Sequence, residues 1–186
     1  RYYERHHLHL QYRNEAGIEI EIHWALDHKY TASNIRYEDF FEEAIPGTLA
    51  GGPALLLSPP HVLLTLCVHL VKHAYLVDAL MERPDFVEQV VSAGWLMQFC
   101  DVAEALRHFG EFMDWPRVIR DTRNWHIESA VRPSLESAAR LFKAHVPDEV
   151  LKAISAPRRG WLERKILRRV LEQMANSTPE RRHSRS

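Results

Sequence analysis

Two glutamates and a histidine alternate with isoleucines in the segment GIEIEIHWAL, residues 17–26. Successive side chains of a strand point to opposite faces, so Glu19, Glu21 and His23 would share one face. Carboxylate oxygens suit Mg²⁺, which takes one or two protein carboxylates together with substrate phosphates. The segment therefore allows a metal site or an acid–base site. The alternative is a half-exposed strand with a solvated polar face, which the alternation by itself favours.

A second alternating segment, HLHLQYR at residues 7–13, precedes the first and predicts a β-hairpin. A five-residue loop over residues 13–17 pairs Leu10 with Ile20 and gathers the apolar side chains on one face. A register shifted by one residue would mix the two faces, which argues against it. The predicted polar face carries His7, His9, Gln11, Glu19, Glu21 and His23.

Three further polar residues lie in apolar helical segments. His69 and His73 are four residues apart and therefore share one face of a helix. No third zinc ligand is evident near them, so we predict a structural or supporting role. Asp101 interrupts the apolar stretch LMQFCDVAEAL, and a buried carboxylate needs partners. We expect Asp101 to pair with His69 or His73, or to cap a neighbouring loop.

Helical spacing of apolar residues dominates after residue 58. Ser58 is a predicted N-cap, and Pro59 fits the first turn of the helix that follows. Before this helix, the segment GTLAGGPALLLS predicts a second hairpin that turns at Gly51 and Gly52. Further helices are predicted around residues 37–44, 93–109, 114–125, 128–145 and 160–175, with another that begins at Asp148. Strands followed by helices indicate an α+β fold, in which a small mixed or antiparallel sheet precedes a helical bundle.

The chain divides into four predicted parts. They are a β-rich part at residues 1–57, a helical part at 58–157, a basic amphipathic helix at 158–175 and a disordered tail at 176–186. Nine Arg or Lys and three Glu follow residue 157, which gives this end a charge of +6 within a net charge of −1. Such a segment can contact an acidic partner or nucleic acid. A solvated helix with a frayed tail is the simpler interpretation.

Composition excludes several classes of protein. A chain of 186 residues with 46% hydrophobic and 26% charged residues suits one globular domain. Cys67 and Cys100 lie in apolar helical contexts that do not suggest a disulfide framework, so we expect a cytoplasmic protein. The longest apolar stretch, residues 62–77, contains two histidines and a lysine, so we expect no membrane span. The sequence has no P-loop, no G-x-S-x-G and no Gly-rich dinucleotide loop, so hydrolase and dehydrogenase functions have no support.

Several segments occur together in an order typical of one family. They are HHLHL, IEIEIHW, LLLSPPHVLLTLCVHLVKH, FCDVAEAL and MDWPRVIRDTRNWHIESAV. In this combination, residues 6–155 resemble the uncharacterised nucleotidyltransferase family of bacteria, which is similar to the DNA polymerase β-like nucleotidyltransferase superfamily. The resemblance implies a sheet with catalytic carboxylates beside a helical subdomain. It also implies two Mg²⁺ ions, held by an Asp-x-Asp pair and by a third carboxylate on a neighbouring strand.

The resemblance assigns roles to residues of the first hairpin. It places the third carboxylate on Glu21, with Glu19 as the second candidate, and it puts His23 and His9 beside the cofactor. The implied substrates are an NTP and an acceptor hydroxyl.

The sequence departs from the family pattern in one respect. No Asp-x-Asp occurs in the 186 residues, which begin at Arg1 rather than at Met. We expect the acidic pair to precede Arg1 in a longer form, and these 186 residues to be inactive alone. The alternatives are a non-catalytic module that binds nucleotide or protein, and an interaction protein that uses its basic C-terminal helix.

Overall fold

The described strands lie within residues 9–56 and form two hairpins with one short helix between them, and the other described helices follow. A computed structural model describes residues 8–26, 33–73, 81 and 83–155. The strands are β1 (His9–Arg13), β2 (Glu19–His23), β3 (Ile45–Leu49) and β4 (Gly52–Leu56). The α-helices are α1 (Tyr37–Glu42), α2 (Pro59–His73), α3 (Phe86–Ser92), α4 (Leu96–Phe109), α5 (Trp115–Asn124), α6 (Glu128–Phe142) and α7 (Asp148–Ala153). The predicted α+β class is confirmed. In the described residues the strands form two separate antiparallel hairpins, β1–β2 and β3–β4.

The first hairpin pairs in a register two residues away from the predicted one. Leu10 lies opposite Ile22 rather than Ile20. A shift of two residues keeps every side chain on its face, so the prediction of one polar and one apolar face is confirmed for the described residues, while His7 lies outside them. On the apolar face Leu8 is buried, whereas Ile20 is 60% exposed and Ile22 is 56% exposed.

The turn of this hairpin sets the register. The side chain of Asn14 accepts a hydrogen bond from the backbone N–H of Ile18 at 2.8 Å. Gly17 has a φ of 80°, a left-handed conformation that glycine adopts without strain. The loop therefore closes at Ile18, one residue later than predicted. The backbone N–H of Trp24 donates to the Leu8 carbonyl at 3.1 Å, so the hydrogen-bonded pairs of the ladder are those on the apolar face.

The second hairpin turns one residue earlier than predicted. Ala50 and Gly51 have φ values of 50° and 81°, and they form the two-residue turn that matches the twist of antiparallel strands. Gly52 instead begins β4, opposite Leu49.

The start of α2 is where the sequence places it, but the predicted capping bond is absent. The helix begins at Pro59, directly after Ser58. The Ser58 hydroxyl is buried and has no hydrogen-bond partner among the described residues. Since Pro59 and Pro60 have no N–H group, the first two helical positions offer the hydroxyl no donor.

The core of the helical part lies between α2, α4 and α6, which pack against one another. Their buried side chains recur at helical spacing and include Leu63, Leu70, Phe99, Val102, Val131 and Leu135. Burial of this apolar surface is the main favourable contribution to folding. The sequence analysis did not predict α3, whose seven residues are too few to show a clear period. Its Phe86 packs edge-on against Phe99, with ring centroids 5.9 Å apart.

Asp101 does not belong to this core. It is exposed, whereas Phe99, Val102 and Leu106 are buried. At 3.6 residues per turn, Asp101 lies on the outer side of α4. The expectation of a buried carboxylate at this position is therefore wrong.

A buried histidine joins α1, α2 and α5. The side chain of His61 in α2 is fully buried. Its ring stacks on Trp125 at 5.5 Å and meets the edge of Phe40 at 4.9 Å. Its Nε2 lies 3.6 Å from an Asp121 oxygen and 3.9 Å from a Glu43 oxygen, beyond hydrogen-bonding distance. The charge of Asp121 therefore needs other partners.

Arginines of α5 supply these partners. The Arg117 guanidinium donates a hydrogen bond from Nε to Asp121 Oδ2 at 2.5 Å, and another from Nη2 to Glu43 Oε1. Arg120 Nε donates to Asp121 Oδ1 at 3.1 Å. A buried carboxylate with several donors remains compatible with a stable fold. Because Glu43 directly follows α1, the network also fixes the end of α1 against α5.

The strands and the described helices belong to one compact unit within residues 1–156. The predicted basic helix at 158–175 and the tail at 176–186 lie outside the described residues and stay predictions, as does the division at residue 57. No helix in the described ranges is long and apolar enough to cross a membrane.

Burial makes His61 sensitive to pH. Desolvation lowers the pKa of His61 below its usual 6.5, although the charge of Asp121 opposes this effect. The unfolded chain then binds a proton more readily than the folded chain. The contribution of neutral His61 to the free energy of unfolding is therefore present above about pH 6.5 and is lost as the pH falls towards the folded pKa.

We predict that the urea midpoint of unfolding decreases when the pH is lowered from about 7 to about 5.5, and that it decreases less in His61→Gln. The exposed His145 provides the control His145→Gln, in which the urea midpoint should change with pH as it does in wild type. An equal change of the midpoint with pH in wild type and His61→Gln would contradict the pH sensitivity assigned to His61.

Candidate functional site

The polar face of β1–β2 presents its side chains in close cross-strand pairs. His9 lies opposite His23, and Gln11 lies opposite Glu21. Hydrogen-bonded and non-hydrogen-bonded pairs alternate along an antiparallel ladder, and the hydrogen-bonded pairs are on the apolar face. The polar pairs are therefore of the non-hydrogen-bonded kind, in which Cα atoms approach to about 4.5 Å. This geometry brings the polar ends of the four side chains together.

Glu21 lies at the centre of this group. Its Oε1 accepts a hydrogen bond from Gln11 Nε2 at 2.7 Å, and its Oε2 accepts one from His23 Nε2 at 3.0 Å. His9 Nε2 lies 3.9 Å from Oε1. The imidazole rings of His9 and His23 face each other with centroids 4.8 Å apart. One carboxylate is thus surrounded by three polar side chains of the same face.

These contacts keep Glu21 ionised. The hydrogen bond from Gln11 lowers the pKa of Glu21 most, the bond from His23 lowers it further, and partial burial opposes both. A donor that binds the charged form of a carboxyl group stabilises that form. Near neutral pH, Glu21 is therefore a carboxylate that can act as a ligand.

His9, Glu21 and His23 also meet a simple geometric condition for metal binding. Each offers one ligand atom, and the three atoms lie within 4.8 Å of one another; within the described ranges this is the group that meets the condition. Mg²⁺ binds through oxygen ligands and usually keeps several waters. This cluster has one carboxylate and two imidazoles, so its described donors do not fit a Mg²⁺ site by themselves.

Glu19, the second candidate carboxylate, is apart from the cluster. It lies opposite Arg13 at the turn end of the hairpin, with Oε1 3.7 Å from the Arg13 Nε. Its side chain is 60% exposed, against 40% for Glu21. The structure thus favours Glu21 over Glu19 as the residue that can act with other groups.

A pocket of about 370 Å³ borders the cluster at His23. Its volume is within the range of small-molecule sites. The walls are largely apolar and include Trp24, Phe40 and Leu57, and the lining residues with polar side-chain atoms are His23, Tyr37, Thr65 and His69. The Thr65 hydroxyl is buried and has no hydrogen-bond partner in the described part of the chain. The pocket therefore combines an apolar surface with a few polar groups.

Of the two helical histidines, the structure describes the side chain of His69, which is not part of the group His9, Glu21 and His23. His69 forms part of the pocket wall, and its predicted supporting role stays a prediction. The side chain of His73 is outside the described part. The exposed Asp101 contributes to neither the cluster nor the pocket.

The sequence analysis missed two sets of residues that matter at this site. It placed Gln11 on the polar face but gave it no role, although Gln11 is the main partner of Glu21. It did not connect His61 with Asp121, whose network holds α1 beside the pocket. The Arg117–Asp121 spacing of four residues on one helix was the available signal for that network.

Comparison with known proteins gives one family. The model of a family described as an uncharacterised nucleotidyltransferase matches residues 1–143. No curated protein and no solved structure matches the chain. The matched residues include the whole polar cluster, the pocket and the helices α1–α6.

The contact between Gln11 and Glu21 can be tested directly. Since the Gln11 hydrogen bond is the largest cause of the lowered pKa of Glu21, we predict that Gln11→Ala raises this pKa towards its usual range. Carboxyl-detected NMR titration measures it, with the Glu19 carboxyl as the internal control. An unchanged pKa of Glu21 in Gln11→Ala would refute the assignment.

Proposed function

This chain belongs to the uncharacterised nucleotidyltransferase family, and we propose that a longer form with the family's Asp-x-Asp pair transfers a nucleotidyl group from an NTP to an acceptor hydroxyl. The reaction would depend on a divalent metal ion. The acceptor oxygen forms a bond to the α-phosphorus, the bond from this phosphorus to the bridging oxygen breaks, pyrophosphate leaves, and the hydroxyl proton passes to water.

One observation carries the proposal beyond family membership. The ionised carboxylate of Glu21 accepts a hydrogen bond from His23, and His23 also lines the pocket. A substrate in the pocket would therefore lie next to a carboxylate that has the properties of a metal ligand. This supports Glu21 as the third carboxylate of the family pattern.

The chain's own residues have defined tasks in this scheme. Gln11 keeps Glu21 charged and oriented. The apolar walls, with Trp24 and Phe40, offer a surface for a nucleobase, and the buried Thr65 hydroxyl, which has no hydrogen-bond partner among the described residues, offers one polar contact. Mg²⁺, when bound, would neutralise charge that develops on the leaving pyrophosphate. Because the described donors alone do not fit Mg²⁺, its ligands would have to include the Asp-x-Asp pair of the family.

That pair is absent from the 186 residues. We therefore propose that catalysis requires a longer form that carries it, and that these residues alone do not transfer nucleotides. Two free cysteines, Cys67 and Cys100, agree with a cytoplasmic location. The basic segment after residue 157 is proposed to contact an acidic partner.

The absence of Asp-x-Asp from the 186 residues also favours a second function. A non-catalytic module could bind nucleotide or protein in the pocket without any Asp-x-Asp. In that case Glu21 would affect stability at most, and nucleotide would bind without turnover.

The test begins with the coding DNA before Arg1. We predict an in-frame extension that encodes a Gly-rich turn followed by Asp-x-Asp. The extended protein should transfer label from an α-labelled NTP, whereas residues 1–186 should not. Glu21→Gln in the extended protein should slow transfer on the order of a hundredfold, equivalent to about 2.7 kcal/mol, because it removes a metal ligand.

Glu19→Gln is the matched control, because Glu19 lies on the same face of the same strand but outside the cluster. It should stay within about twofold of wild type, which is a loss of about 0.4 kcal/mol. A start codon at Arg1, or equal rates for the two variants, would contradict the catalytic proposal and leave the binding module.

A further inference from the structure

We propose that in these 186 residues, which lack the Asp-x-Asp pair, His9, Glu21 and His23 by themselves form a binding site for a divalent transition-metal ion of the Zn²⁺ type, rather than for Mg²⁺. The proposal shares Glu21 with the proposed function and rests on it only in that respect. It concerns metal binding by these residues, whether or not the chain takes part in nucleotidyl transfer.

The ligand atoms lie within 4.8 Å of one another, which is close to the spacing around one shared ion. Zn–N and Zn–O bonds of about 2.0–2.1 Å place the ligands of a tetrahedral ion about 3.3 Å apart. His23 Nε2 lies 3.0 Å from Glu21 Oε2, and His9 Nε2 lies 3.9 Å from Glu21 Oε1. The second distance is too long for a hydrogen bond. Small side-chain movements would bring all three atoms to bonding distance of an ion between them.

The donor types select the metal. Imidazole nitrogen suits Zn²⁺, Cu²⁺, Ni²⁺ and Fe²⁺, whereas carboxylate and water suit Mg²⁺ and Ca²⁺. A set of two histidines and one carboxylate with open positions is a recurrent ligand set for transition metals. The cluster has this composition, and its one carboxyl group supplies the oxygen donor of the set.

The backbone holds the ligands before any ion arrives. His9 and His23 are directly opposite each other in the ladder, and Glu21 is two residues from His23 on the same face. The register that fixes these positions depends on the Asn14–Ile18 turn bond. A preorganised set of ligands loses less conformational freedom when it binds.

Access to the ion is open. The side chains of His9, Glu21 and His23 are 23%, 40% and 27% exposed. Water or a substrate oxygen can therefore complete the coordination. Since His23 borders the pocket, a ligand in the pocket would approach the ion from that side.

Calorimetric titration of residues 1–186 with Zn²⁺, and separately with Mg²⁺, tests the proposal. We expect one equivalent of Zn²⁺ to bind, and Mg²⁺ to bind at least about a hundredfold more weakly. Loss of an outer-shell partner costs about 10–100-fold in affinity. Each of His9→Gln, Glu21→Gln and His23→Gln removes a direct ligand and should therefore weaken Zn²⁺ binding at least about tenfold. Circular dichroism confirms that each variant is folded.

Two controls address other histidines. His145 is exposed and far from the hairpin in sequence, so His145→Gln should bind Zn²⁺ like wild type. His6 and His7 are adjacent to the hairpin in sequence, and the double variant His6→Gln/His7→Gln should also keep the site.

Three results would overturn the proposal: no Zn²⁺ binding, equal affinity for Mg²⁺, or binding that is lost only with His6 and His7. Co²⁺ absorption of the folded variants gives a second readout, because the visible spectrum reports ligand number. Zn²⁺ binding by a chain whose extended form transfers no nucleotide would leave the site assigned and the proposed function refuted. If the extended protein transfers nucleotides in a Glu21-dependent manner but residues 1–186 do not bind Zn²⁺, the proposed function would be supported and the Zn²⁺ site refuted.

Discussion

The cross-strand pairing of β1 with β2 decides which side chains can act together. It places His9 opposite His23 and Gln11 opposite Glu21, in the pair type with the shortest Cα separation. A slip of one residue would replace this polar group by isoleucines, because alternate side chains point to opposite faces. The chemistry of the hairpin is therefore a consequence of its register, and the register is a consequence of the turn at its tip.

Helix α1 connects the segment after the hairpin with the helical part of the chain. The Tyr37 hydroxyl accepts a hydrogen bond from the backbone N–H of Leu26 at 2.9 Å, which ties the chain after β2 to α1. The rings of His61 and Trp125 hold Phe40 of α1 against the bundle. The pocket lies where these elements meet, and its lining also includes residues of the connecting segments, such as Leu26 and Leu57.

The sequence could predict the features that repeat locally. Alternating isoleucines gave the two faces of the hairpin, and long apolar periods gave α2 and α6. It could not give the register, because that depends on the conformations of Asn14 and Gly17 in the turn. Asp101 was misplaced because an apolar sequence around a residue does not show which side of the helix it occupies. The approach of His61 to Asp121 joins residues far apart in the chain, and no local pattern contains it.

We infer that the hairpin carries a preformed metal site with Glu21 at its centre. This site can be tested with a crystal of residues 1–186 that is grown with Zn²⁺ and measured at the zinc absorption edge. We expect an anomalous peak at about 2.0–2.1 Å from His9 Nε2, His23 Nε2 and a Glu21 oxygen. An anomalous peak only at other residues would contradict this site. The absence of any peak, with the hydrogen bonds of Glu21 to Gln11 and His23 intact, would contradict it as well.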